Sequence, residues 1–138
     1  MSYTTLTGIY DDMSAAVKAA LPKVDFFEEQ ELGANFNNID ILWRFELDEF
    51  FAATLKTLGQ SGSDTVAGVV RVFFRYDHND RQRDVLALYD DIHKNMPVGT
   101  RHGTGVVITK IGYGAAVVSG TNRLDEIDIY WEANLARP

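Results

Sequence analysis

The sequence predicts an α+β fold, a mostly antiparallel sheet with a long β-hairpin, packed by an N-terminal helix and a central helix. Three observations predict it. The stretches Ile39 to Leu47 and Glu126 to Ala133 alternate apolar and polar residues with a period of two, the mark of half-buried strands. Thr65 to Tyr76 is rich in Val and Phe, holds no Pro, and leads into a segment whose apolar residues recur at helical spacing. Near the N-terminus Leu6, Ile9, Tyr10, Met13, Val17, Ala20 and Leu21 recur every three or four residues. Elements that each own one apolar face must cover one another, and helices lying on a sheet do so.

Each element follows from its residues. The first helix is expected over Thr4 to Leu21, with Asp11 and Asp12 near its start, where the helix dipole favours negative charge, and Pro22 after its end. Lys23 to Asn38 reads as a turn-rich connection: Phe26 and Phe27 anchor it, and Gly33, Asn35, Asn37 and Asn38 punctuate it. In the first strand Ile39, Ile41, Trp43, Phe45 and Leu47 share one face, opposite Asp40, Leu42, Arg44 and Glu46. Phe50 to Leu55 continues it after a bulge or forms a helical turn, and strand is the preferred reading. Thr57 to Asp64, with Gly59, Ser61, Gly62 and Ser63, is a flexible loop that closes an extended hairpin.

The next strand, Thr65 to Tyr76, sets Val66, Val70, Val72, Phe74 and Tyr76 against Ala67, Val69, Arg71, Phe73 and Arg75. Asp77 to Asp80 is read as a turn that caps the central helix through Asn79 or Asp80. That helix buries Val85, Leu88, Tyr89, Ile92 and Met96 and stops at Pro97. Val98 to Gly103 is read as a loop and Thr104 to Ile111 as a strand, with a bulge or bend at Gly112 to Gly114. Ala115 to Ser119 resumes the strand, and Gly120, Thr121 and Asn122 turn the chain into the last one. Trp43, Phe45, Val70, Phe74, Leu88, Ile92, Ile129 and Trp131 are the expected core.

Composition narrows the function classes. A chain of 138 residues suits a single domain, 1–138, with its own core. No apolar run approaches the roughly 20 residues of a membrane span, and the N-terminus lacks the pattern of a secretory signal. The absence of Cys excludes disulfides, thiol nucleophiles and Cys-ligated metals. A formal net charge of -7 argues against general binding to nucleic-acid phosphates.

No catalytic constellation stands out. His78, His93 and His102 form no close pair of metal-ligand spacing. The Gly-x-Gly pairs at Gly103 and Gly105, and at Gly112 and Gly114, do not open a helix after a strand, as a phosphate cradle requires. Asp40, Glu46, Asp128 and Glu132 sit on the polar sides of strands, where facing carboxylates would suit acid–base or metal chemistry. The expectation is therefore no enzyme, no cofactor and no metal.

Several segments carry a family resemblance. They are Trp43-Arg44-Phe45-Glu46-Leu47, the loop Leu58-Gly59-Gln60-Ser61-Gly62, the strand Val66 to Arg75, the turn Asp77 to Asp80 leading into Val85 to Ile92, and Ile127 to Glu132. In this order, after a short starting helix, they resemble the tail terminator, or tail completion, proteins of long-tailed bacteriophages. The segment Lys23 to Asn38 departs from that pattern. The resemblance implies a virion subunit of the tail and neck, made in the host cytoplasm, that forms a homohexameric ring. The ring caps the tail tube and joins it to the connector proteins of the head, and DNA passes through without specific binding. Under this reading Phe50, Phe51, Leu58, Gln60, Ser61, Arg101 and His102 are the assembly and partner contacts. Two other classes compete with it: a small enzyme using strand carboxylates, marked by perturbed carboxylates or a bound metal, and a small binding module, marked by a closed apolar pocket.

Overall fold

The structure, a computed structural model, describes residues 3–21, 34–36, 39–51 and 63–136. In chain order the elements are α1 (Leu6–Ala20), β1 (Ala34–Phe36), β2 (Ile39–Phe51), β3 (Ser63–Asp77), α2 (His78–Asn95), β4 (Arg101–His102), β5 (Val106–Tyr113), β6 (Val117–Ser119) and β7 (Asn122–Ala136). The fold is α+β, as expected.

The strands form one antiparallel sheet in the order β1-β2-β3-β7-β5-β4, with β6 pairing β7. The expected hairpin is the β2–β3 pair, in register from Asp40 opposite Arg75 to Phe51 opposite Thr65. Its register shifts between Leu47 and Glu49, so the chain does continue as strand to Phe51 past a bulge. On its other side β3 pairs with β7 along its whole length, from Ser63 opposite Ala136 to Asp77 opposite Asn122. Both long neighbours therefore fasten β3, which makes it the central strand.

Period-two alternation sorts the sheet into two faces. One carries Ile39, Ile41 and Trp43 of β2, Val70, Val72, Phe74 and Tyr76 of β3, and Ile127, Ile129 and Trp131 of β7, all buried. Both helices lie on this face. Tyr10 of α1 contacts the rings of Trp43 and Phe45, and Tyr89 of α2 contacts Phe74. Of the eight expected core residues, seven are buried, and Phe45 is half-buried against the core. Leu47, at the end of the same row, is 48% exposed.

Gly68 lies on this apolar face for a packing reason. A Cβ there would stand 2.5 Å from Cζ2 of Trp131 and 2.3 Å from the carbonyl oxygen of Glu46. The missing side chain lets the Trp131 indole cross β3 and stack on Phe45, with ring centroids 5.2 Å apart.

Several boundaries differ from the sequence reading. Helix α1 begins at Leu6, capped by Thr5, whose hydroxyl accepts a hydrogen bond from the Gly8 amide at 3.0 Å. Its first turn holds no acidic residue, so Asp11 and Asp12 do not act on the dipole there. Asp12 is instead a tether: it accepts hydrogen bonds from the Tyr3 hydroxyl at 2.6 Å and from the Thr104 amide at 2.9 Å. The Tyr3 hydroxyl accepts in turn from the Gly105 amide, and its backbone bonds to β7 through Asn134 and Ala136. Burial, then the bond to Asp12, holds the Tyr3 phenol above its ordinary pKa.

No turn separates β3 from α2. The strand ends at Asp77 and the helix starts at His78, so Asn79 and Asp80 lie inside the first turn rather than at a cap. Polar residues suit that position because its amides lack intrahelical partners. The segment read as connection contains β1, which pairs with the start of β2. The loop after α2 holds the short strand β4, entered past Gly99 and left at Gly103, both with positive φ. Strand β5 begins at Val106 rather than Thr104 and runs through Gly112 to Tyr113. Its register shift falls between Ile108 and Lys110, not at the glycines. The chain resumes as β6 at Val117, and Gly120-Thr121 closes a two-residue hairpin to β7, with φ +63° at Gly120. Of the loop expected over Thr57 to Asp64, 57–62 lie outside the described residues, while Ser63 and Asp64 belong to β3.

Candidate functional site

Among the described residues no helix covers the second face of the sheet, and the polar chemistry of the chain collects there. Three rows run across β2, β3 and β7. The registers place Asp40 opposite Arg75, Arg44 opposite Arg71 and Arg71 opposite Asp128, and Glu46 opposite Val69 and Val69 opposite Tyr130.

Arg71 is the centre of this face. Its Nε lies 3.2 Å from Glu46 of β2, and its Nη1 lies 3.2 Å from Glu126 and 3.0 Å from Asp128 of β7. One guanidinium thus ties three strands through charge-assisted bonds. Arg44 adds a looser contact to Glu46 at 3.7 Å. Burial works against the Arg71 charge, but Asp128, Glu46 and Glu126 outweigh it, and the guanidinium is held more firmly protonated than usual. Asp128 is only 5% exposed. Burial, followed by the neighbouring Glu126, pushes its carboxyl up to about 7, against the opposing pull of Arg71.

Two of the four strand carboxylates named from the sequence, Glu46 and Asp128, therefore converge, on an arginine rather than on each other. Asp40 pairs with Arg75 at 2.7 Å on the exposed margin. Glu132 stands apart, lining the same groove as Arg101 with Val107 between them. Among the described residues no group of three potential ligands is arranged to hold a metal. Sequence reasoning placed Arg71 on a mixed face without singling it out. The available signal was a cation inside the apolar run Val66 to Phe74, which a half-buried strand tolerates only with partners.

The expected assembly contacts divide into two groups. Phe50 and Phe51 lie at the end of β2, opposite Val66 and Thr65. Arg101 and His102 form β4 at the far lateral margin. The registers Arg101–Val107, Val107–Glu132, Glu132–Ala67 and Ala67–Glu49 place both groups at the same end of the sheet, with three strands between them. Leu58, Gln60 and Ser61 lie outside the described residues. Arg101 is exposed and lines an open groove of about 230 Å³ with Val107, Thr109, Glu132 and Asn134. His102 is half-buried beside Thr100, and burial lowers its pKa.

A second polar cluster sits at the opposite end, under β6. The Tyr76 hydroxyl donates to Asp125, which also holds Arg123 at 2.7 Å. The Tyr89 ring stacks on Tyr113, whose hydroxyl meets the His93 ring. Burial foremost, and then Asp125, raises the phenol pKa values of Tyr76 and Tyr89. An open depression of about 150 Å³ lies between these groups and Leu86. Beside it Tyr113, Val117 and Val118 are exposed.

These surfaces belong to an α+β protein in which, among the described residues, two helices cover one sheet face and none covers the other. No family model matches the chain, and no curated protein matches it. Six solved chains do match. One of them has a TM-score of 0.58 at 16% sequence identity, covering 92% of this chain and 91% of its own. At that identity the likeness concerns the fold alone.

Proposed function

We propose that this protein is a structural subunit that forms a homohexameric ring, of the kind that caps a phage tail tube and joins it to the head connector. The observation that supports the reading is the order of elements: a short starting helix, a long hairpin, a central helix, then a C-terminal strand group. That is the order the resemblance to tail terminators implies. Its mechanism is geometric. A heterologous contact repeated by rotation closes into a ring when the angle per subunit is right. The sheet supplies the rigid body, and the end carrying Phe50, Phe51, Arg101 and His102 supplies contacts at both lateral margins. No catalysis, cofactor or metal enters this reading. Acidic side chains of the open face that line a channel would repel DNA phosphates and let the duplex slide. Light scattering behind a sizing column tests the proposal. The expected dominant species has six times the subunit mass, in isolation or after addition of tail tubes. A monomer that stays monomeric at high concentration and with tubes present removes the ring.

A further inference from the structure

The Arg71 cluster has an arithmetic that its hydrogen bonds do not complete. Three carboxylates, Glu46, Glu126 and Asp128, surround one guanidinium, and among the described residues Arg44 alone adds a second cation, through Glu46. Asp128 Oδ2 is satisfied by Arg71, but Asp128 Oδ1 is wholly buried and has no hydrogen-bond partner. A buried ionised oxygen without a donor is costly. Glu126 lies two residues away on the same strand and the same face and shares Arg71 Nη1 with Asp128, so a second acceptor stands beside the first.

Among the described residues no group donates to this oxygen. Strand β2 contributes Glu46 and Arg44, both engaged with each other and Glu46 also with Arg71. Strand β3 contributes Arg71 alone, because Arg75 pairs with Asp40. On β5 the residue opposite Asp128 is Gly112, and the ammonium of Lys110 lies over the Tyr130 ring at 5.3 Å. A partner protein cannot reach an oxygen that has no accessible surface, and no metal-holding group exists among the described residues. A proton needs no room.

We propose that Asp128 carries a proton at neutral pH and donates it to Glu126, making the Arg71 cluster a proton-operated clasp between β2, β3 and β7. The protonated carboxyl turns an orphaned acceptor into a donor and lowers the cluster's excess negative charge by one. Deprotonation leaves two adjacent carboxylates sharing a single Nη1 and loosens the clasp. The proposal concerns the subunit itself and is independent of the ring.

Linkage sets the sign. Asp128 binds its proton more tightly in the folded than in the unfolded chain. Its contribution is fully present below the unfolded carboxylate range and is lost as pH rises through the folded value near neutrality. His102, whose pKa burial lowers, acts in the opposite direction, so the wild type is read against Asp128→Asn, which keeps His102. The experiment follows the side-chain carboxyl carbon of Asp128 by NMR from about pH 4 to about pH 9, with thermal melts of wild type and Asp128→Asn over the same range. The expected result is a titration near neutrality, and a melting temperature of the Asn variant that gains on wild type by on the order of 5 °C as pH rises through this window. A carboxyl that titrates in the ordinary acidic range overturns the proposal, as does an Asn variant with the wild-type pH profile. If Asp128→Asn does not fold, Glu126→Gln decides: the Asp128 titration must move toward acid pH, and an unmoved titration overturns the proposal.

Discussion

The two faces of the sheet use the same strands to opposite ends. On the helix-covered face, β2, β3 and β7 present Trp43, Val72, Ile127 and Trp131 to α1 and α2, and these side chains are all but inaccessible. On the open face the same three strands are held by Arg71 and its carboxylates. The covered face depends on shape, since burial is non-directional and each void costs contact energy. The open face depends on count and direction, since a guanidinium has a fixed fork and each carboxylate has a charge to place. The lesson is that a sheet with helices on one side can be cross-linked on the other by a single half-buried cation on its central strand.

Substitutions break the comparison in order of size. The largest effect belongs to the covered face. Trp131→Ala, at a residue 1% exposed, is expected to cost about 3–5 kcal/mol in denaturant unfolding, because Phe45 loses its stacking partner and the space over Gly68 empties. Trp131→Phe is expected to cost much less. It keeps most of the packing, and the indole N–H it removes has no hydrogen-bond partner. Equal losses for the two variants would show that the indole nitrogen matters in a way packing does not explain.

Arg71→Met comes next. It leaves Glu46, Glu126 and Asp128 together without their cation, and a loss of about 2–4 kcal/mol is expected at neutral pH. The loss shrinks in acid, where the carboxylates are neutral, and unfolding curves at two pH values measure this. A loss independent of pH would place Arg71 with the packing residues rather than the clasp.

The tether of α1 should rank third. Asp12→Ala removes the acceptor shared by the Tyr3 hydroxyl and the Thr104 amide, at an expected cost of about 1–3 kcal/mol. Amide exchange should quicken at Thr104 and Gly105 before it does in β3. The smallest effect is Asp40→Asn. Its ion pair with Arg75 is more than half exposed on both sides, and solvent screening leaves an expected change of about 0.5 kcal/mol or less. A change as large as that of Arg71→Met would mean that the open face is not exposed in the working form of the protein, as in a closed ring.

Much of the covered face was legible in the chain. Alternation in Ile39 to Phe45, in Val70 to Tyr76 and in Ile127 to Trp131 named the residues that are in fact buried or half-buried. Helical spacing did the same for Ile9, Met13 and Val17, and for Val85, Leu88 and Ile92. Such periodicity lies within one element and reports which side of it faces the core, so no partner need be known. The long hairpin was legible too, because two strong strands flanked a Gly- and Ser-rich segment.

Contacts between distant elements were decided by the tertiary structure. Nothing local places β7 beside β3 rather than at an edge, yet that pairing brings Asp128 and Glu126 to Arg71 and lays Trp131 over Gly68. Asp12 looked like a dipole residue because its nearest sequence context is a helix start, whereas its partners are Tyr3 and Thr104. The division has one physical cause. Side-chain direction along a strand or helix follows from backbone geometry a few residues long, while the register between strands is chosen by packing of the whole chain. The sequence by itself determined the element types and their apolar faces. The fold decided which charges meet, and so decided where the chemistry of the open face lies.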